Sequence, residues 1–263
     1  MIAKEVVNRC DDALNEYVST SITLRELSVK YKIARSFISG YLLAKGIDIY
    51  SRKSHVNDRI FESIDTEEKA YWLGFLYADG CVHKFKSSYK IELTLQESDL
   101  EHLLKFKDFI GWKESPKHRD TQKAYRISFG SRKVAEDLIN LGCVPNKSLV
   151  LTFPDKVPDS LIRHFIRGYF DGDGSIHLVE NKHSITPDIR ILGTKEFLEV
   201  LLTKFQSNTP IIKKCKHNES NNYYIKFNKE DSYKFLHYIY EDTYIYLQRK
   251  YDKYVLAVSQ SNL

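Results

Sequence analysis

The sequence has few cysteines and no long apolar run, and both absences exclude whole classes of protein. Its four cysteines, Cys10, Cys81, Cys143 and Cys215, lie far apart without a Cys-x-x-Cys pair, which argues against a disulfide framework and a zinc knuckle. Every apolar run is interrupted by charge, so none approaches the roughly 18 apolar residues of a membrane helix. Residues 1–5 also carry two charges, Lys4 and Glu5, where the hydrophobic segment of a secretory signal would be apolar. We therefore expect a cytoplasmic protein without a membrane partner.

The composition is that of a folded, mildly basic protein. Of 263 residues 42% are apolar, and 40 Lys and Arg against 35 Asp and Glu leave a formal net charge of +5 at pH 7. The length allows one large domain or two to three smaller ones. The charge permits a nucleic-acid partner without requiring one.

Residues 1–53 read as short helices followed by a basic linker. Thr23 is placed to cap a helix that ends near Tyr31, and a second helix begins near Ala34. Two short helices joined by a tight turn are typical of a helix-turn-helix. Lys32 stands where glycine is usual in that turn, and the alternative is a plain helical hairpin with a solvated polar face.

The helix-turn-helix interpretation makes five residues of this module candidates for DNA contact. Three lie at the exposed start of the second helix and two in the linker that follows. They are Arg35, Ser36, Ser39, Arg52 and Lys53.

From residue 65 onward the chain repeats itself at a constant offset. WLGFLYADG at residues 72–80 reappears as IRGYFDGDG at residues 166–174, so the landmarks of the two copies lie 94 residues apart. An internal repeat of this length indicates a duplicated small domain. We place the first repeat at residues 54–155 and the second at residues 156–263.

Each repeat is predicted to have the order helix, two strands, helix, two strands, helix. Alternating apolar residues indicate strands such as residues 90–96 and 124–129. An aspartate is placed to cap the first helix of each repeat, Asp65 and Asp159, with Glu68 completing a capping box in the first. The fold class is therefore α+β with antiparallel sheets, plus a small all-α N-terminal domain.

Small residues form a stripe on each motif helix. Gly74 and Ala78 in the first motif, and Gly168 and Gly172 in the second, are four residues apart and share one helix face. Such a stripe allows two helix backbones to approach closely. We expect the two motif helices to pack through these faces.

That packing would bring together the aspartates that follow the stripes, Asp79 and Asp173. Helix C-termini concentrate negative partial charge, so two carboxylates there are unfavourable unless a cation is present. A hard divalent cation, with magnesium the expected ion, meets that need through oxygen ligands. The alternative is two ordinary Asp-Gly turns.

The two motifs resemble the nine-residue motif of the LAGLIDADG homing endonucleases, over roughly residues 60–263. The resemblance implies a monomer of two pseudo-symmetric halves, with the motif helices at their interface and saddle-like sheets. It also implies that Asp79 and Asp173 bind Mg²⁺, or Mn²⁺ in its place, with the backbone carbonyls of Ala78 and Gly172. Three motif positions depart from the family pattern, and none is the metal position: Trp72, Tyr77 and Arg167.

The family also places a lysine near the scissile phosphate in each half. The resemblance implies Lys147, 68 residues after Asp79, and Lys250, 77 residues after Asp173. A lysine there can stabilise charge on the phosphate or position the hydrolytic water. A solvated surface lysine is the alternative at each position.

The strands supply a candidate DNA surface, since one face of each is polar and can dock into a major groove. Any antiparallel sheet in water has a polar face, so this pattern alone is weak. Two histidines four residues after the aspartates are expected to face DNA, with general-base catalysis as the alternative. The strand candidates are His83, His177, Lys90, Thr94, Gln96, Arg126, Ser128, Arg190 and Lys226.

The resemblance implies a site-specific enzyme that hydrolyses one phosphodiester in each strand of duplex DNA at a long, asymmetric target. In the family this activity moves the encoding element, such as an intron. Two other functions stay open on the same scaffold: a DNA-binding regulator that does not cut, and an RNA splicing cofactor, or maturase. Retention of both Asp79 and Asp173 favours the endonuclease over the regulator.

Overall fold

The computed structural model describes residues 2–259, with gaps at 21, 48, 50–55, 87, 146, 148–149, 182–183, 208–209 and 216–221. The chain divides into two compact units, Met1–Ser54 and His55–Leu263. The linker candidates Arg52 and Lys53 lie outside the described residues. Within the described ranges, no helix is both long and apolar enough to cross a membrane.

The N-terminal unit contains three helices: α1 (Ile2–Ser19), α2 (Leu24–Tyr31) and α3 (Arg35–Ala44). The predicted cap is confirmed, because the Thr23 hydroxyl accepts a hydrogen bond from the Glu26 backbone while the Glu26 carboxylate accepts one from Thr23. Lys32 ends α2 in the left-handed region, at φ 52° and ψ 42°. A residue with a Cβ atom thus holds the position that favours glycine.

The first repeat forms a four-stranded antiparallel sheet with helices packed on its apolar face. Its strands pair in the order β1-β2-β4-β3. Alternation explains the burial of one face, since Ile91, Leu93 and Leu95 of β2 are all buried. The elements are α4 (Glu67–Ala78), β1 (Gly80–Lys84), β2 (Tyr89–Gln96), α5 (Leu100–Phe109), β3 (Lys117–Arg119), β4 (Ala124–Phe129) and α6 (Arg132–Asn140).

The second repeat has the same order of elements, with one helix added at its end. Its sheet order β5-β6-β8-β7 is that of the first sheet. The predicted α+β class and element order are thereby confirmed. The elements are α7 (Ile162–Asp173), β5 (Gly174–Asn181), β6 (Ser184–Gly193), α8 (Lys195–Phe205), β7 (Ile211–Lys214), β8 (Tyr223–Lys226), α9 (Lys229–Tyr240) and α10 (Gln248–Ser259).

The predicted aspartate caps of the motif helices are wrong. Thr66 caps α4, since its hydroxyl accepts from the Lys69 backbone N–H at 3.2 Å, whereas Asp65 binds the Lys69 ammonium at 2.8 Å. Glu68 therefore completes no capping box with Asp65. In the second repeat a 3₁₀ turn, Asp159–Leu161, precedes α7, and Asp159 pairs with Lys204 instead. The better-placed threonine and the added turn displaced the expected caps.

Both repeats share one hydrophobic core, built on the motif helices. Helix α4 is apolar nearly all round and is buried from Ala70 to Tyr77. A helix of that kind has to lie inside the protein. Both sheets cover the helix pair with their apolar faces, which leaves the polar faces for solvent or a partner.

Candidate active site

The motif helices α4 and α7 contact each other backbone to backbone. A Cβ atom built on Gly74 would lie 2.8 Å from the Tyr169 nitrogen and 2.9 Å from the Phe165 carbonyl carbon. One built on Gly168 would lie 2.8 Å from the Tyr71 carbonyl carbon and 2.9 Å from the Phe75 nitrogen. Real Cβ atoms essentially never approach other atoms so closely. The predicted packing of the small stripes is thus present in the structure.

The contact brings Asp79 and Asp173 to the same end of the helix pair. Asp79 is the C-cap residue of α4, and Asp173 is the last residue of α7. A Cβ on Gly172 would lie 3.4 Å from Oδ2 of Asp79, which places this carboxylate directly beside the opposite helix. The backbone carbonyls of Ala78 and Gly172 belong to the same two helix ends.

Burial raises the pKa of both carboxylates, and the charge of Asp173 adds to the effect at Asp79. Part of the Asp79 residue is exposed at the surface. Desolvation of its carboxylate by the surrounding protein, and then the charge of Asp173, raise its pKa to about 6. Burial likewise raises the pKa of Asp173, which is half-buried. In both cases the ionised form is disfavoured without a positive charge nearby.

Lys147 and Lys250 are buried, which excludes the solvated-lysine alternative. The Lys147 ammonium donates to the carbonyl of Gly80, and Lys250 donates to those of Phe170 at 2.6 Å, Asp171 at 2.7 Å and Gly174. Gly80 and Gly174 are equivalent residues, directly after the aspartates. The two lysines therefore occupy matching places although their offsets from the aspartates differ.

The pKa of each carboxylate is lowered more by the lysine of the opposite repeat than by the lysine of its own repeat. Among the positive groups, Lys250 lowers the pKa of Asp79 most, and Lys147 lowers that of Asp173 most. Burial lowers the pKa of Lys250 to about 8, against the raising effect of nearby carboxylates. Lys250 is thus mainly charged at pH 7. The site is a composite to which both repeats contribute.

Asp171 is a buried residue that supports the site and was not predicted from the sequence. Its carboxylate accepts from the hydroxyls of Tyr71 at 2.7 Å and Tyr240 at 2.5 Å, and from the Leu247 backbone N–H at 2.8 Å. Leu247 directly precedes α10, the helix that carries Lys250. The motif position itself could have drawn attention to Asp171, because its counterpart in the first repeat is Tyr77.

The donors at the helix ends fit a hard divalent cation. They are two carboxylates and two backbone carbonyls, all oxygen, and burial raises the pKa of both carboxylates, so a bound cation would favour their ionised forms. Among the described residues, no group of three or more His, Cys, Asp and Glu side chains could hold a metal ion. Solvent or substrate phosphate would therefore have to complete the coordination, as is usual for magnesium.

The polar face of the first sheet is organised around Glu92, which was not predicted from the sequence. Its carboxylate contacts Lys90 at 2.6 Å, Arg126 at 3.1 Å, Ser128 at 3.1 Å and His83 at 3.2 Å. Partial burial would raise the pKa of Glu92, but hydrogen bonds from Lys90 and Ser128 hold it below its ordinary value. Four of the predicted DNA-contact residues thus share one partner.

The other predicted contact residues keep separate places. Thr94 is half-buried and Gln96 exposed on the same face of β2; on the second sheet His177, Arg190 and Lys226 are exposed. The guanidinium of Arg190 lies 5.8 Å from the ring centre of Tyr224. In the N-terminal unit Arg35 and Ser36 are exposed at the start of α3, and Ser39 is half-buried.

Residues 160–240 match the family model described as a LAGLIDADG-like domain. Three curated relatives come from Methanocaldococcus jannaschii: a probable translation initiation factor IF-2, 29% identical over 168 residues, the RNA polymerase subunit Rpo1C, 27% over 140, and the replication factor C small subunit, 31% over 168. The matches cover 59%, 51% and 62% of this chain. The chain spans only 13%, 15% and 9% of these relatives' lengths.

Two solved structures share the fold. The LAGLIDADG homing endonuclease I-LtrWI, bound to its target DNA, is 11% identical with a TM-score of 0.51 over 77% of this chain and 91% of its own. The meganuclease I-SmaMI, bound to uncleavable DNA, is 13% identical with a TM-score of 0.51 over 73% and 90%. The family-model match over residues 160–240 and this shared fold together confirm the resemblance inferred from the two motifs.

Proposed function

We propose that this chain, whose second repeat is a LAGLIDADG-like domain and whose paired repeats have the LAGLIDADG fold, is a site-specific DNA endonuclease. It makes a double-strand break by divalent-metal-dependent hydrolysis of one phosphodiester in each strand. The observation that carries the proposal is the meeting of Asp79, Asp173, Lys147 and Lys250 at the ends of two helices from different repeats.

The chain's own residues have distinct parts in this reaction. Asp79 and Asp173, with the carbonyls of Ala78 and Gly172, would hold Mg²⁺, for which Mn²⁺ should substitute. When bound, the cation supplies Lewis-acid activation of water and neutralises charge on the phosphate. The two lysines fix the helix ends and add positive charge to a site where charge develops on phosphate oxygens. The Lys250 ammonium already donates hydrogen bonds to backbone carbonyls. It therefore contributes by holding the helix end in position and by the electrostatic effect of its positive charge.

The proposed partner is double-stranded DNA with a long asymmetric target, bound by one copy of the chain. Each sheet turns an apolar face to the core and presents a polar face that can enter a major groove. The side chains on the two polar faces differ, as expected for a target whose halves differ. Both similar structures described above were solved with DNA.

A role in the mobility of the encoding element is also proposed. The curated relatives have unrelated names, and the shared segment is a small part of each. A segment that recurs in such different proteins of one organism supports an element that moves between genes, a process that a DNA break can start.

The test is cleavage of a randomised plasmid library in magnesium, followed by single variants on the selected target. Asp79→Asn and Asp173→Asn should each abolish double-strand cutting while binding in calcium stays close to wild type. Asp108→Asn, at an exposed position on α5, is the matched control and should cut normally. Full cutting by either site variant would refute the paired-acid site; binding without cutting by the wild type would favour the regulator, and selective binding of an intron RNA the maturase.

A further inference from the structure

The register of the two sheets shows which side chains on their polar faces are equivalent. The glycine that begins β1 lies opposite Leu93, and the glycine that begins β5 lies opposite Ile191. These glycines match in the repeat, so the residues that precede their partners, Glu92 and Arg190, are equivalent. An acid in one sheet thus stands where an arginine stands in the other.

The neighbouring strands extend the comparison. Glu92 pairs with a residue of β4, and Arg190 pairs with the corresponding residue of β8. Two positions before these paired residues stand Arg126 in β4 and Tyr224 in β8. Each sheet therefore has one guanidinium in the same diagonal cross-strand pair. In the first sheet it comes from β4, and in the second from β6.

Both guanidinium groups are held by their diagonal partner. Nη1 of Arg126 lies 3.1 Å from the Glu92 carboxylate. Arg190 lies over the ring of Tyr224 at 5.8 Å, and its Nη2 also lies 3.5 Å from the Asp188 carboxylate. The Glu92 side chain is only 15% exposed and has further partners, so it positions other groups. The Arg190 side chain is 48% exposed and thus accessible to a partner.

We propose that Arg126 and Arg190 each read one guanine, and that these two guanines lie at non-equivalent positions in the two halves of the target. The inference rests on the proposed function. Arginine donates two hydrogen bonds to O6 and N7 of guanine in the major groove through a rigid planar fork, which the flexible lysine ammonium does not reproduce. Neighbouring strands lie about 4.8 Å apart and successive base pairs about 3.4 Å, so a guanidinium from the adjacent strand reaches a base one or two pairs away.

The first experiment selects bound sequences from a randomised duplex pool in calcium, with Arg126→Lys and Arg190→Lys. Each variant keeps its charge, so affinity for the unselected pool, which comes mainly from phosphate contacts, should stay close to wild type. Each should relax the preference for guanine at one base pair by about 5- to 150-fold, since a bidentate contact discriminates by ~1–3 kcal/mol and 1.4 kcal/mol is tenfold. Arg132→Lys, on α6 and 62% exposed, is the matched control and should leave the selected sequence unchanged.

Glu92→Gln tests positioning in the first sheet. It should relax the same base pair as Arg126→Lys, and the double variant should relax it no further. The pair read by Arg190 should be unaffected. Relaxation spread evenly over all positions would contradict a positioning role.

The decisive variant exchanges the pair in the second sheet, Arg190→Glu with Tyr224→Arg. Its guanine preference should move by one or two base pairs within the same half-site, with a melting curve confirming the fold. A guanine that stays at its original pair would overturn the inference, as would single lysine variants with the wild-type profile. A wild type that enriches no sequence would instead refute the proposed function, and this inference with it.

Discussion

Gly168→Ala tests how the helix interface forms the proposed active site. The new Cβ would lie 2.8 Å from the Tyr71 carbonyl carbon and 2.9 Å from the Phe75 nitrogen, and closer still to the Tyr71 oxygen. These are backbone atoms, which no rotamer change can move aside. The two helices must therefore separate, and Asp79 and Asp173 lie at their ends.

The size of the effect follows from these distances. Ordinary contact begins at 3.4 Å, so a neighbour at 2.8 Å has to retreat by at least 0.6 Å. A displacement of about 1 Å can reduce a rate on the order of a hundredfold. Overpacking costs ~1–3 kcal/mol, which for a chain of this size lowers Tm by about 2–12 °C. Cleavage should therefore fall about ten- to a hundredfold in a protein that still folds and binds DNA.

The assay compares single-turnover cleavage, calcium-supported DNA binding and Tm for the variant and the wild type. Gly40→Ala is the control, since a Cβ there meets nothing within 4 Å, and it should cut normally. Gly168→Leu should lose cleavage still more severely. Wild-type cleavage and Tm in Gly168→Ala would show that the backbones do not meet as described, and the convergence of the acids would lose its physical basis.

Two further predictions concern protons and the N-terminal unit. Because the pKa of Asp79 is raised to about 6, the folded state binds its proton more tightly than the unfolded chain does; this group should therefore stabilise the cation-free protein as pH falls from 7 towards 4. Melting curves should show that trend in the wild type relative to Asp79→Asn, and a constant difference in Tm across pH would contradict it. Deleting residues 1–54 should weaken DNA binding and shorten the protected footprint without abolishing cleavage, because both repeats remain. An unchanged footprint and affinity would refute the helix-turn-helix interpretation.

Local patterns were sufficient to predict most of the fold. Alternating apolar residues located β4 at Ala124–Phe129, and the small stripes predicted which helix faces meet. Both features are local, because one depends on a two-residue period and the other on four-residue spacing. Because the two aspartates lie at the ends of these helices, the packing of the stripes also predicts that the aspartates come together.

Contacts that depend on tertiary geometry could not be predicted in the same way. The sequence offsets made Lys147 and Lys250 only approximately equivalent, whereas both contact the carbonyl of the glycine after the aspartate. Glu92 could not be predicted, because an acid on the polar face of a strand has no local pattern that marks it. Its importance comes from partners on three strands, among them His83, Lys90 and Arg126.

The duplication has diverged where geometry allows it. At the helix interface Gly74 meets Phe165 and Tyr169, and Gly168 meets their counterparts at the same 94-residue offset. An insertion there would disturb both contacts at once, since each residue near the axis faces the other repeat. On the polar faces the two equivalent residues lie in different sheets: the offset between Glu92 and Arg190 is 98 residues, and the charge is reversed. The end proposed to bind the metal is thus constrained by its own symmetry, while each face proposed to read DNA can change independently.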